Sequence, residues 1–366
     1  MQATAEKIEA NPIGSHTEWG TLKEVIVGSP VKAMVPADMR ILETVVPSQY
    51  WELLGELFPG LEGAYPDELV GAAVAEVTEF KNILRGEGVV VHEAEPLEFC
   101  RSTQTPFWQV NNSFCCSNPR DSLMIVGDTI IEAPMADRNR IFETYAYRNV
   151  LSELSTRGWR WISAPKPALL DSLYQDVQRD ENALPTRWLI NESEICFDGA
   201  DFIKCGRDLI VTVGHVTNER GIQWLESVIG DEYKIHRLAT KNPYAMHIDD
   251  NIMPLAPGVL LVNPDYVHVD RLPSFFDNWE KIIAPRPRYT DKNVLGSLSG
   301  WLNINLLSLD EKRVIVEKEQ HDTIALLKKK GFQPIPCSFE SYYPFIGSFH
   351  CATLDVSREG FLDDYR

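Results

Sequence analysis

A strand-sized apolar run recurs five times along the 366 residues, each time with the same company. The runs are Val25-Ile26-Val27-Gly28, Leu123-Met124-Ile125-Val126-Gly127, Leu209-Ile210-Val211-Thr212-Val213-Gly214, Val259-Leu260-Leu261-Val262-Asn263 and Val314-Ile315-Val316. Their length and aliphatic content suit buried strands, and each is closed by a turn residue or a charge. A polar, often helix-compatible stretch follows each run. A second strand-like run comes next, frequently closed by proline, at 88–96, 158–167, 233–243, 279–287 and 331–336. Five strand-helix-strand units of unequal length suggest α/β modules arranged around an axis, with the longer insertions as loops on one face. The spacing is too irregular for a solenoid. The pattern leaves equally open an ordinary mixed α/β domain in which similar strands recur by composition. Between the first two units, 48–58 and 66–85 read as helices with apolar faces, Pro66 suiting a helix start. The segment 172–188 is polar and turn-rich, which predicts a surface excursion.

Charge narrows the partners. Asp and Glu number 53 against 35 Lys and Arg, a formal charge of −18. Such a field argues against nucleic acid or an anionic membrane and favours cationic small molecules. The 44% hydrophobic content is ample for a large core. The start Met1-Gln2-Ala3-Thr4-Ala5-Glu6-Lys7 lacks the pattern of a signal peptide, and no apolar run is long enough to span a bilayer. A cytoplasmic protein is expected. Seven cysteines without a Cys-x-x-Cys read as free thiols, with neither disulfide framework nor structural zinc.

Three polar clusters carry candidate chemistry. Cys351 lies in Gly347-Ser348-Phe349-His350-Cys351-Ala352-Thr353-Leu354-Asp355-Val356, between a glycine that permits a sharp turn and a strand-like run. That context predicts a sulfur at a strand mouth, although a lone cysteine in a strand is commonly just a small buried hydrophobe. Upstream stand Phe197-Asp198-Gly199-Ala200-Asp201-Phe202 and Met246-His247-Ile248-Asp249-Asp250. One thiol, one imidazole and several carboxylates make a thiol-activation set, in which the imidazole manages protons and a carboxylate orients it. Adjacent strand residues point to opposite faces, so His247 rather than His350 is expected beside the thiol, leaving His350 to pack or bond to backbone. His247 and Asp249 would point the same way if extended. A His-x-Asp pair can also chelate, but zinc would need His or Cys partners that the sequence does not obviously supply. Asp121, in Asn118-Pro119-Arg120-Asp121, reads by default as an Asx turn.

Taken together, Cys196-Phe197-Asp198-Gly199-Ala200-Asp201-Phe202-Ile203, Gly206-Arg207-Asp208, Met246-His247-Ile248-Asp249, Leu309-Asp310-Glu311-Lys312-Arg313-Val314 and Phe349-His350-Cys351 resemble the glycine and inosamine amidinotransferases. So do Glu18-Trp19-Gly20, Ile130-Ile131-Glu132-Ala133-Pro134-Met135-Ala136 and Ala164-Pro165-Lys166-Pro167. The resemblance spans nearly the whole chain, in order, and looks strongest to members of the saxitoxin pathway. It implies one domain over 1–366, a five-bladed pseudo-symmetric α/β propeller of ββαβ modules. It also implies cofactor-free, metal-free transfer of an amidino group from L-arginine to an amine, and a homodimer. Cys351 then matches the nucleophile, His247 the general acid and base, and Asp198 its carboxylate partner. Asp121 and Asp249 match the acids that grip the guanidinium.

The departures concern the acceptor side. The arginine:glycine enzymes carry an arginine after Asn-Pro-Asp; here Tyr266 follows Asn263-Pro264-Asp265, and a phenol cannot replace an ion pair with a substrate carboxylate. Tyr244 and Ala245 precede Met246 in place of Asn-Pro, and Leu298 replaces the first serine of a pair whose second is Ser299. With Met246, Tyr244, Tyr266, Leu298 and Ser299 as lining, the expected acceptor is bulkier than glycine and lacks its carboxylate.

Overall fold

The computed structural model describes residues 14–178, 183–288 and 301–366. In it each expected strand-like run contains a strand. β1 (Leu22–Val27) leads through α1 (Arg40–Val45), α2 (Trp51–Leu57) and α3 (Asp67–Gly86) to β2 (Val90–Glu93). A small ribbon, β3 (Thr103–Gln104) and β4 (Gln109–Val110), and one turn of helix, α4 (Pro119–Ser122), come next. The following unit is β5 (Leu123–Val126), β6 (Thr129–Glu132), α5 (Arg148–Thr156) and β7 (Arg160–Ser163). Another is β8 (Phe202–Cys205), β9 (Asp208–Val211), α6 (Glu219–Ile229) and β10 (Lys234–Arg237). The remaining units are β11 (Ile252–Ala256), β12 (Val259–Val262) and β13 (Glu280–Ile283), then β14 (Leu307–Ser308), β15 (Arg313–Glu317), α7 (His321–Lys329) and β16 (Gln333–Cys337). β17 (Thr353–Arg358) returns to β1.

Among the described residues the strands form five three-stranded sheets besides the ribbon, all with one plan. A leading strand pairs antiparallel with the middle strand, as in β5 with β6, β8 with β9 and β11 with β12. The third strand returns parallel to the middle one. Parallel return requires a long crossover, which explains why a helix stands at that point in most units. The fourth unit departs from the expected pattern, crossing from β12 to β13 by short 3-10 turns at Val269–Arg271 and Ser274–Phe276. In the first sheet the leading strand is β17, so the C-terminus completes the N-terminal unit. Leading and middle strands are buried almost throughout, whereas β2, β7, β10 and β13 expose residues at both ends.

α3 shows how sequence sets one of these crossovers. Its buried residues Ala73, Val77, Phe80 and Leu84 recur at helical spacing, acids occupy its first turn and Arg85 its last, both complementing the helix dipole. The Phe80 ring lies 5.3 Å from Phe339 and 5.2 Å from Phe349, and those two stack at 4.3 Å. This aromatic cluster anchors the chain two residues before Cys351. Phe80→Ala is expected to cost about 3–5 kcal/mol of stability, as a fully buried aromatic leaves a cavity. Urea unfolding measures it, and a loss below about 1 kcal/mol would mean the cluster collapses freely. Among the described residues no helix is long and apolar enough to cross a membrane.

Candidate active site

The five leading strands share a second property: a polar side chain stands just upstream of each. Asp121 precedes β5, Asp198 precedes β8, His247 and Asp249 precede β11, Asn305 precedes β14 and Cys351 precedes β17. All six residues are buried, none more than 4% exposed. Cys351 therefore lies in a turn at the mouth of a strand, as its sequence context predicts. Gly347 is needed there for close approach rather than for an unusual φ: a Cβ would meet Asn118 Oδ1 at 2.5 Å and the Cβ of Cys351 at 2.8 Å. Gly199 has the same role beside Asp198. A Cβ on it would fall 2.5 Å from the Arg120 carbonyl oxygen and 2.6 Å from that of Leu123, so glycine alone lets the Asp198 and Asp121 turns dock.

Around the sulfur the contacts are specific. Asn305 Nδ2 donates to Cys351 Sγ at 3.1 Å, while its Oδ1 accepts the backbone N–H groups of His350 and Cys351 at 3.0 and 3.1 Å. Those backbone donors fix the amide orientation, so its NH2 must face the sulfur. Sγ also donates to Asp249 Oδ2 at 3.2 Å, the same oxygen that accepts from His350 Nδ1 at 2.7 Å. His350 Nε2 pairs with Glu18 Oε2 at 3.2 Å. His350 thus orients a carboxylate beside the thiol instead of merely packing or bonding to backbone. The opposite-face rule does not apply because the segment is a turn.

His247 occupies the left-handed region at φ 67°, a conformation costing about 1–3 kcal/mol for a side chain of this kind. It is held by Asn251 Nδ2 on its carbonyl at 3.0 Å and by the neighbouring Ile248 N–H on Ala200 O at 3.1 Å. The segment is not extended, so His247 and Asp249 reach the site by this turn and not by strand alternation. His247 Nε2 meets Asp198 Oδ2 at 3.1 Å, and Nδ1 lies 3.7 Å from Asp121 Oδ1. Burial pulls its pKa down, but Asp121, Asp198 and Cys351 together push it well above the ordinary histidine value. An imidazolium results. Behind Asp198, Thr217 Oγ1 accepts the Asp198 N–H at 3.1 Å and donates to Asp201 Oδ2 at 2.5 Å. Asp121 is no free Asx turn: Arg140 Nη1 donates to its Oδ2 at 2.8 Å.

Two buried oxygens, Asp121 Oδ1 and Asp198 Oδ1, have no hydrogen-bond partner among the described residues. Buried carboxylate oxygens are normally satisfied, so a site of this kind suits a ligand rich in N–H donors. Asp121, His247 and Cys351 each bring a donor atom within 4.8 Å of the others, a spacing that a metal could also use. Metal binding there would have to displace protons from the imidazole and from the thiol, which burial and the charge of Asp249 push up to about 12.

The rest of the lining is less uniform. Met246, Tyr244 and Tyr266 line an apolar cavity beside His247. Leu298 and Ser299 lie outside the described residues.

Comparison with known proteins agrees with this geometry. No protein-family model matches the chain. It is 41% identical over 359 residues to the L-arginine:L-lysine amidinotransferase of Pseudomonas savastanoi pv. phaseolicola, covering 98% of both chains. The chain belongs to the amidinotransferases. Among solved structures it resembles an amidinotransferase of the saxitoxin biosynthetic pathway from Microseira wollei, with TM-score 0.92 and 48% identity over 97% of this chain and 100% of that one. The inosamine-phosphate amidinotransferase of Streptomyces griseus follows at TM-score 0.86 and 36% identity, covering 96% and 99%. The protein is accordingly a transferase with the mixed α/β fold of that group.

For this amidinotransferase the sequence pointed to five of the six strand-mouth groups and missed Asn305. The signal was present in Trp301-Leu302-Asn303-Ile304-Asn305-Leu306-Leu307, where asparagines interrupt an apolar run and so need buried partners. Arg140 and the Glu18–His350 pair had no such local signal.

The raised thiol gives a direct test on the substrate-free enzyme. Alkylation of Cys351 by iodoacetamide should accelerate about tenfold per pH unit from pH 7 to pH 10, because only the thiolate reacts. A plateau near pH 8 in the peptide-mapped rate would show an ordinary thiol and overturn that electrostatic picture.

Proposed function

We propose that this amidinotransferase takes the amidino group of L-arginine onto Cys351 and delivers it to a primary amine other than glycine, in the biosynthesis of a saxitoxin-like guanidinium metabolite. The observation that carries the reading is a thiol and an imidazolium enclosed by carboxylates, two of whose buried oxygens lack a donor. A guanidinium offers five N–H groups and one positive charge to such a site. Placed between Asp121 and Asp249, it would offset the negative charges that hold the thiol protonated, so donor binding and thiolate formation are coupled.

The course follows from these states. As arginine binds, the Cys351 thiol loses its proton to solvent; the thiolate attacks the guanidino carbon, the bond from that carbon to the ornithine nitrogen breaks, and His247 supplies the proton that the departing amine needs. Ornithine leaves a covalent amidino-cysteine. An acceptor amine then attacks the same carbon, gives a proton to His247 and releases the thiolate. The carbon keeps its oxidation state, so neither half-reaction requires a redox cofactor. Asp198 holds the imidazole in register and Asn305 holds the sulfur. Two half-reactions in one pocket give ping-pong kinetics.

Tyr266, where the glycine enzymes have arginine, supports an acceptor without a carboxylate at that point. Two relatives support a non-glycine acceptor, one transferring to lysine and one serving saxitoxin biosynthesis, whereas vertebrate relatives at 35–38% identity are glycine amidinotransferases. The deciding experiment follows ornithine, citrulline and new guanidino products by mass spectrometry from arginine with a panel of amines. Ornithine with a guanidino product from a carboxylate-free amine is expected. Citrulline as the main product would make the protein a hydrolase, and guanidinoacetate from glycine would overturn the acceptor assignment.

A further inference from the structure

Asp249 and Asp250 are neighbours that face different spaces. Asp249 turns to the thiol; Asp250 lines the cavity beside His247. The cavity is built from the loops that carry the reacting groups, since Met246 adjoins His247, Leu302 lies three residues before Asn305 and Ile346 five before Cys351. α1 contributes Leu42 and Val45 to its wall, α2 contributes Leu54, and Phe58 follows just past the end of α2.

In this apolar enclosure Asp250 is 8% exposed. One of its oxygens accepts from Asn251 Nδ2 at 2.6 Å, and no lysine, arginine or histidine among the described residues forms an ion pair with it. Burial and the charge of Asp249 push its pKa well above the usual carboxylate range, so the acid lacks the cation that would keep it ionised. Tyr244, Tyr266 and Asn242 share the cavity wall with Asp250, and the charge of Asp250 helps to raise the Tyr266 phenol. The cavity opens partly to the surface and offers about 70 Å³ to water-sized groups, room for about five of them at ~15 Å³ each. That is the size of a short alkyl arm.

We infer that Asp250 determines specificity by receiving an ammonium group that the substrate carries on an alkyl arm, several atoms from the nitrogen that reacts at Cys351. The inference rests on the proposed function, because it takes amidino transfer between two amines at Cys351 to be the reaction. Two substrates could present the group: the donor through its α-ammonium, or the acceptor through a second amine. The chemistry is the same in both, a cation at the end of an apolar tether.

Matched substrate pairs separate the sources. Donor use is compared between arginine and 5-guanidinopentanoic acid, which lacks the α-amino group. Acceptor use is compared between cadaverine and pentylamine. Each ratio of kcat/KM is measured in the wild-type enzyme and in Asp250→Asn and Asp250→Glu. At least one ratio should favour the ammonium-bearing member by about tenfold to a hundredfold, the range for a charge-assisted hydrogen bond. It should fall to within about threefold in Asp250→Asn and persist in Asp250→Glu. Loss of the donor ratio assigns the α-ammonium, and loss of the acceptor ratio assigns the second amine. A folding defect lowers both members of a pair alike and leaves the ratio intact. Wild-type ratios near one for both pairs, or ratios that Asp250→Asn does not change, overturn the inference alone. A wild-type enzyme that forms no ornithine with any acceptor overturns the proposed function and this inference with it.

Discussion

Cys351→Ala, incubated with arginine, should gain no amidino adduct by intact-protein mass spectrometry and should lose turnover by roughly four orders of magnitude or more. The size of the effect follows from the role proposed for the sulfur. It forms and breaks a bond to the transferred carbon, and no neighbour can substitute. Asp249 shares its contact with the thiol and has its pKa lowered, burial being outweighed by His350 and His247, so it is a weak nucleophile. The substitution removes one atom and leaves the backbone contacts of Asn305 to residues 350 and 351 in place, so the protein should fold. Near-normal turnover in the alanine variant would sink the covalent mechanism. It would leave direct transfer between two bound substrates, or a non-catalytic scaffold if activity in the pathway also survived.

Asp198→Asn is expected to lower kcat by about three to four orders of magnitude while changing apparent donor affinity little, by analogy with loss of the orienting carboxylate in catalytic triads. The carboxylate accepts from His247 Nε2 at 3.1 Å and is one of the groups that raise the imidazole pKa. An amide there removes that charge and can present its NH2 to the ring, disturbing the proton inventory. Removing an acid neighbour lowers a raised imidazole pKa, so the imidazolium should be lost at lower pH. The alkaline limb of the kcat profile should therefore move to lower pH in the variant. A change confined to the apparent affinity for arginine, with kcat and its pH profile intact, would make Asp198 a substrate ligand instead of a positioning group.

The relation between sequence and site is clearest at the strand mouths. Buried strands read well from sequence because apolar side chains over four to six residues are a local signal, and β5, β9, β12 and β15 fall on the expected runs. Helix periodicity similarly places α3. What the local signal could not supply was the conformation of the turns before the leading strands. Cys351 falls at a strand mouth as expected, but the alternation of Thr353 to Arg358 invites face alternation across it too, and the strand begins two residues later. His350 was set aside for the same reason, and the structure gives it Asp249 and Glu18 as partners.

Chain order also hides the convergence. Glu18 and His350 are 332 residues apart, and Arg120 donates from Nε to His350 O at 2.8 Å and from Nη2 to Asp355 at 2.9 Å. The two ends of the chain meet because β17 pairs with β1, which no local pattern announces. The sequence by itself determined the repeating strand units, the surplus of acid and the identities of the thiol, the imidazole and their acids, since these depend on residue type and short-range periodicity. Only the tertiary structure decided that Asn305 faces the sulfur, that His350 rather than backbone orients Asp249, and that Asp250 turns into an apolar cavity. Each of those depends on which turns the closing sheets bring together, a long-range packing outcome that neighbouring residues do not encode.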